Sequence, residues 1–286
     1  MTQIIVNSLI AASIYTLVGI GFSLIYNTGR FFHFAHAATF TLGAYFIYTF
    51  NLLLHIPLIL SAIFSILGCG ILGMIMDKTI FSTLRNRGAS ALIMLLASLG
   101  LYVVLQNSIS VIYGDHIKSI RVGEITEGIP ILGARITEIQ SITVMTSILI
   151  LMVIRLILKK TNIGISLRAV ANNPILAQIS GIDSNKVILF SFFAGSAFAG
   201  LAGILVSMDI DMTPSMGMAP FMMAVVAVII GGISSISGIA LGAIFLAFVQ
   251  NLGILFVSSQ WQDAIAFGML IIFLIIRPQG FLGRRI

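Results

Sequence analysis

Apolar runs about as long as a bilayer is thick recur along this whole chain, and they constrain it more than any motif does. They fall at 4–26, 31–53, 57–76, 91–112, 141–158, 187–208, 238–257 and 262–276, with a shorter run at 217–232. About twenty apolar residues in an α-helix cross roughly 30 Å of hydrocarbon. No water pairs with peptide groups there, so a spanning segment must satisfy its own backbone, and a helix does so. The fold class expected is an all-α polytopic membrane protein of eight or nine transmembrane helices, the open count lying in 31–53 and 217–232. Only 8% of the 286 residues are charged and 59% are hydrophobic. An ordinary soluble domain carries about 25% charged residues, and no buried core absorbs a deficit of that size.

Charge assigns the sides. The net charge of +6 comes from 15 basic and 9 acidic residues. On a soluble protein such an excess points to nucleic acid. Here the basic residues cluster in alternate loops, as the positive-inside rule requires, and no nucleic-acid partner is expected. Segment 77–90 holds Lys78, Arg85 and Arg87 against Asp77; segment 155–186 holds Arg155, Lys159, Lys160, Arg168 and Lys186 against Asp183; the ending holds Arg277, Arg284 and Arg285. These are read as cytoplasmic, the C-terminus with them. The loop 113–140 mixes three basic residues with Asp115, Glu124, Glu127 and Glu138 and is read as exterior, with a small β-hairpin around Gly123, Gly128, Pro130 and Gly133. Nine crossings put the N-terminus outside. It has no Lys or Arg before Arg30, so 4–26 is read as a retained span rather than a cleaved signal. The whole of 1–286 reads as one transmembrane domain. The one cysteine, Cys69, makes no intrachain disulfide and binds no metal alone.

Against this background RAVANNPILAQISGID (168–183) is foreign. Asn173 is a good N-cap, Pro174 suits the first helical position and Gly181 the left-handed position after a helix, which delimits a helix at Pro174–Ser180. So short a helix is marginal alone in water and needs packing. Its Ile175, Leu176 and Ile179 form one narrow apolar stripe, to be covered by the membrane interface or by a groove on a soluble partner. A missing engine favours the partner. There is no G-x-x-x-x-G-K-[ST] phosphate loop. Nor does any Asp, Glu or Lys sit deep in an apolar run, where ion-coupled carriers place such groups. H-E-x-x-H and G-x-S-x-G are absent too, which counts against an intramembrane enzyme.

Polar residues interrupt the apolar pattern twice. Asn27, Gly29, Arg30, His33 and His36 separate two apolar stretches. An unbroken helix there would drive Arg30 towards lipid at a cost of about 2–3 kcal/mol, so a break near 27–36 is expected. A second break is expected at 231–238, where Gly231, Gly232, Ser234, Ser235 and Gly238 gather. Asn27, Arg30, His33, His36, Ser234 and Ser235 are candidates for a translocation path or gate; an interfacial turn with a snorkelling Arg30 is the plainer alternative. Leu42-Gly43-Ala44 and Leu241-Gly242-Ala243 after the two breaks hint at an internal repeat. Gly195, Ala199 and Gly203 recur every four residues as a close-packing face. The methionines crowded at 212–223 read as compliant packing.

Four stretches together carry a family resemblance: NSLIAASIYTLVGIGFSLIYNTGRFFHFAHAATFTLGAY (7–45), GISLRAVANNPILAQISGI (164–182), PSMGMAPFMMAVVAVIIGGISSISGIALGA (214–243) and RPQGFLG (277–283). In these the chain resembles the permease subunits of ATP-binding-cassette importers for branched-chain amino acids. The resemblance implies a bacterial inner-membrane permease whose loop at about 159–186 carries a coupling helix for cytoplasmic ATPase subunits, with Arg168, Ala171, Asn173, Ala177 and Gly181 in the contact. Pro174 departs from the polar residue expected at that point of the motif, and the capping reading absorbs the difference. The further partners implied are a second permease, commonly a different chain, an exterior solute-binding protein and membrane lipid; no cofactor is expected on this chain itself. Importers of urea or short amides, and a channel or carrier working alone, are the alternative readings.

Overall fold

The computed structural model describes residues 1–120, 128–131 and 133–283. Gly123, Glu124 and Glu127 of the expected hairpin loop, and Arg284 and Arg285 of the basic ending, lie outside the described residues. The architecture is all-α: α1 (Thr2–Gly29), α2 (Ala35–Tyr48), α3 (Leu58–Met76), α4 (Ser82–Asn86), α5 (Ala91–Tyr113), α6 (Glu138–Lys160), α7 (Asn162–Asn172), α8 (Pro174–Ile179), α9 (Ser184–Asp209), α10 (Met218–Gly231), α11 (Ile236–Gly253) and α12 (Gln262–Ile276). Strands β1 (Ile129–Ile131) and β2 (Ala134–Ile136) pair antiparallel, so a small hairpin stands where the turn residues place it.

Seven described segments are long and apolar enough to cross a membrane: Thr2–Gly29, Leu58–Asn86, Ala91–Tyr113, Glu138–Lys160, Ser184–Asp209, Ile236–Gly253 and Ser259–Ile276. The other two expected spans are shorter. α10 has 14 residues, and the 14 of α2 run on into a π-helical turn, Thr49–Leu53. Each adjoins a polar break, and that break shortens it. Several hydroxyls within the spans donate to the carbonyl four residues back: Ser8 to Ile4 at 2.7 Å, Ser13 to Leu9 at 2.7 Å and Ser65 to Ser61 at 2.6 Å. Their polarity is thus hidden inside the helix that carries them. Leu92, Leu96 and Val104 on α5, and Met145, Leu149 and Met152 on α6, are exposed, as side chains that face lipid must be.

The chain divides into two compact units, one of Met1–Ile20, Arg121–Arg155 and Ala219–Ile286, the other of Gly21–Ile120 and Leu156–Met218. In the first, Ala12, Met223, Val226, Ala227, Leu246 and Ala266 belong to one apolar core. Its second break runs from the end of α10 at Gly231 to Ile236. The chain ending closes that break: the Phe281 and Leu282 N–H groups donate to the carbonyls of Ile230 (2.8 Å) and Gly231 (3.1 Å). Gly232 has φ +101 and Gly280 φ +77. A Cβ on Gly280 would lie 2.5 Å from the Gly232 nitrogen, so the two backbones meet only because neither residue has a side chain.

In the second unit α9 lies against α2 and α3 along the small-residue face read from sequence. A Cβ on Gly203 would meet the Phe40 carbonyl oxygen at 1.9 Å, and one on Gly200 would meet Cys69 Sγ at 2.6 Å. Cys69 itself is fully buried, its Sγ–H donating to the Thr39 carbonyl at 3.6 Å. The crowded methionines divide: Met212 packs in a core with Tyr45 and Ile204, whereas Met223 belongs to the first unit. The Leu-Gly-Ala pair also has unlike neighbours. Gly43 abuts Gly200 of α9, while Gly242 abuts Ala227 of α10.

Gly203→Ala must push two backbones apart, so it is expected to lower the melting temperature in detergent by the equivalent of about 1–3 kcal/mol. Gly100 on α5 has nothing within 4 Å of an added Cβ. Gly100→Ala should be neutral or stabilising by up to about 1 kcal/mol, and equal melting of the two variants would contradict the packing described.

Candidate functional site

The polar stretch 161–186 builds two helices outside the long apolar ones. α6 ends in Lys159 and Lys160, and Thr161 turns the chain by capping α7: its hydroxyl oxygen accepts from the Gly164 N–H at 3.1 Å. A Cβ on Gly164 would lie 2.3 Å from the Ile157 carbonyl oxygen, so glycine lets α7 fold tightly back over the end of α6. Asn173 then serves two helices at once. Its N–H donates to the Ala169 carbonyl at 2.9 Å, closing α7. Its side-chain oxygen accepts from the Ile175 and Leu176 N–H groups at 3.0 and 3.1 Å, opening α8. The single residue between the two helices is thereby pinned from both sides.

α8 ends as the sequence indicates. Gly181 has φ +84, its N–H donates to the Gln178 carbonyl at 2.9 Å, and the Ile182 N–H donates to that of Ala177 at 2.9 Å. This pair of bonds is the Schellman closure, which needs a left-handed residue where glycine is least strained. Ser184 Oγ donates back to the Pro174 carbonyl at 2.9 Å, tying α8 to the start of α9. Asp183 caps α9 by accepting from the Asn185 and Lys186 N–H groups at 3.1 and 3.2 Å. The Lys186 N–H first, and then its ammonium, hold the Asp183 carboxyl below the usual aspartate range.

These backbone and side-chain bonds thus fix a six-residue helix, and what they present is apolar. Ile175, Leu176 and Ile179 are 69%, 59% and 78% exposed, whereas Ala177 is 4% exposed and faces inward. Arg168, Asn173, Pro174 and Gly181 are exposed and Ala171 half-buried. A shallow hollow of about 200 Å³ lies between α7 and α8, lined among others by Ala169, Asn172, Leu176 and Ile182. Of the residues implied for an ATPase contact, Ala177 thus faces inward, and the outward face is formed by the apolar triad, which lies outside that set.

The candidates at the two breaks separate by environment. Arg30, exposed and at φ +60, donates from Nη2 to the carbonyls of Ala171 and, at 3.2 Å, Asn172. It thus holds the end of α7 while remaining exposed. Asn27 donates to the Ser23 carbonyl at 2.8 Å and the Ser23 hydroxyl at 3.0 Å, within its own helix. His33 and His36 are fully buried. Ser98 Oγ accepts from the Ala35 N–H at 3.0 Å and shares a second hydrogen bond with His33 Nδ1 at 3.2 Å. The His33 ring stands edge-on to Phe81 and Phe192, centroids 5.1 and 5.2 Å away. His36 lies over Gly21, where a Cβ would be 3.0 Å from Cε1. Ser235 caps α11 by accepting from the Gly238 N–H at 3.1 Å, and Ser234 is exposed beside it. Among the described residues no three His, Cys, Asp or Glu side chains gather as metal ligands would.

Sequence reasoning missed Ser98 and the Arg30 contact with α7. Ser98 looked like any hydroxyl in an apolar run. Arg30 and Ala171 are 141 positions apart, and nothing local signals their meeting.

Comparison with known proteins adds the family context. A family model described as the permease component of branched-chain amino acid transport systems matches residues 4–274. The high-affinity branched-chain amino acid permease protein BraD of Pseudomonas aeruginosa is 30% identical, over 99% of this chain and 95% of its own length. LivH of Escherichia coli, likewise named a high-affinity branched-chain amino acid permease protein, is 26% identical over 97% of this chain and 94% of its own. A probable LivH of the archaeon Methanocaldococcus jannaschii is 28% identical over 98% and 92%. Among solved structures, PsaBC from Streptococcus pneumoniae, in complex with a Fab, aligns with TM-score 0.50 at 16% identity, covering 96% of this chain and 91% of that one, a likeness of fold.

Replacing the shared cap tests the joint. Asn173→Ala should cost about 1 kcal/mol of local stability, read as faster hydrogen exchange at the Ile175 and Leu176 amides. Asn173→Asp, which keeps an acceptor oxygen, should preserve their protection.

Proposed function

The chain belongs to the permease components of branched-chain amino acid transport systems, and from that premise we propose that α8 is where a separate ATPase grips and moves it. The protein is a multi-pass membrane permease, and its cargo is proposed to be leucine, isoleucine or valine, which the relatives' names support. Energy comes from ATP hydrolysed by a partner subunit in the cytosol. An exterior solute-binding protein delivers the cargo, and a second permease completes the pathway. The basic loops, 155–186 among them, then lie in the cytosol, as the positive-inside rule directs.

The observation that carries this reading is the rigid, doubly capped α8 with three large aliphatic side chains turned outward. A short helix of this kind suits a groove on a soluble partner. Each large aliphatic side chain taken from water contributes about 1.5–3 kcal/mol before the cost of association. Arg168, Asn173, Pro174 and Gly181 border the same surface and are proposed to complete the contact, while Ala177 supports it from behind.

Ile179→Asp puts a charge at the most exposed of the three apolar positions without touching a cap. The variant is expected to insert normally, lose co-purification of the ATPase in mild detergent and lose ATP-driven uptake. Wild-type co-purification and uptake would remove α8 from the contact. In the intact reconstituted complex, leucine, isoleucine or valine should stimulate ATP hydrolysis more than urea or acetamide does, and the reverse order would replace the proposed cargo.

A further inference from the structure

Position 30 is built in a way that local folding does not ask for. The Arg30 N–H donates to the Tyr26 carbonyl at 2.8 Å and its φ is +60, so it occupies the left-handed position that ends α1. Glycine is the residue with least strain there, and bulky side chains are rare. The chain has a glycine one position earlier, at Gly29, and puts an arginine on the strained site. The side chain must therefore matter for something other than ending α1.

Its partners say what. The guanidinium donates to the carbonyls of Ala171 and Asn172, the last two residues of α7. Carbonyls at a helix C-terminus lack partners within the helix and carry the negative end of its dipole, so a fixed cation with several donors suits them. Asn173, the next residue, is the N-cap of α8. The arginine thus grips the chain one residue away from the helix proposed to be driven. On its other side, Phe31 and His33 follow directly and are buried against Phe81 and Phe192, with Ser98 anchoring the start of α2.

We infer that Arg30 is a positioning residue that transmits displacement of α8 to the break between α1 and α2. It provides a non-covalent route from the α7–α8 joint into the spanning helices, in parallel with the covalent routes through α6 and α9. When α8 is pulled, the α7 end moves with Asn173, and the guanidinium carries that movement to the backbone at Arg30, where the helix is already interrupted. The inference rests on reading α8 as the driven surface.

The decisive variant is Arg30→Gly. It relieves the left-handed strain and leaves the end of α1 intact, so a role in stability alone predicts equal or higher melting temperature and unchanged transport. Transmission predicts a complex that assembles and hydrolyses ATP but moves less solute. In proteoliposomes holding the complete complex, uptake per ATP should fall by at least about fivefold, the low end of ordinary coupling factors. Arg30→Lys, which keeps the charge, should recover part of it. In the purified chain without ATPase, Arg30→Gly should also speed hydrogen exchange at the joint around Asn173. Uptake per ATP within about twofold of wild type, or unchanged exchange, would overturn the inference. Ile179→Asp keeps the two readings apart. If it abolishes uptake while Arg30→Gly does not, only the Arg30 link fails; if it leaves uptake intact, the reading of α8 itself fails.

Discussion

A peptide group stripped of both helix and water is what this chain cannot tolerate, and its construction follows from that. Long helices pair their own backbones, and hydroxyls such as Ser8 and Ser65 hide by bonding back one turn. Where a helix is interrupted, the orphaned carbonyls need donors from elsewhere. At Ile230 and Gly231 the donors are N–H groups of the chain's own ending. At Ala171 and Asn172 the donor is a guanidinium belonging to another interruption. Interruptions allow a membrane protein to bend, and each is closed by a contact that can be re-made.

Packing sets the complementary rule. α9 approaches α2 and α3 so closely at Gly203, Gly200 and Gly43 that an added Cβ would overlap backbone or sulfur. Such surfaces slide little, since interiors are dense and resist deformation. Room to change shape is therefore left at the breaks rather than along the glycine-packed helices. This suits the proposed role of a subunit moved by a separate ATPase. A push delivered to an exposed rigid knob needs stiff elements to carry it and few places to yield.

Much of this was legible in the sequence because it is local. Apolar run length located the spans, and Asn173, Pro174 and Gly181 marked both ends of α8, since caps depend on a residue and its near neighbours. Gly195, Ala199 and Gly203 announced a close-packed face by their spacing. What was illegible depends on partners distant in sequence. Arg30 reads from sequence as snorkelling or path-lining, and its carbonyl partners on α7 are announced by neither reading. His33 and His36 read as path-lining groups or part of an interfacial turn, and nothing local announces that Ser98, Phe81 and Phe192 surround His33 or that His36 lies beside Phe22. The inward turn of Ala177 was hidden as well, because a two-turn helix has too few residues for its pattern to say which side is supported.

The seclusion of Cys69 has a practical consequence. It is the chain's one thiol, it has no exposed surface, and it sits against Gly200 with its hydrogen engaged by Thr39. The native protein is therefore close to silent towards water-soluble maleimides while folded. A reporter sulfur placed anywhere on its surface can be read against a dark background without first removing the residue that spaces α3 from α9.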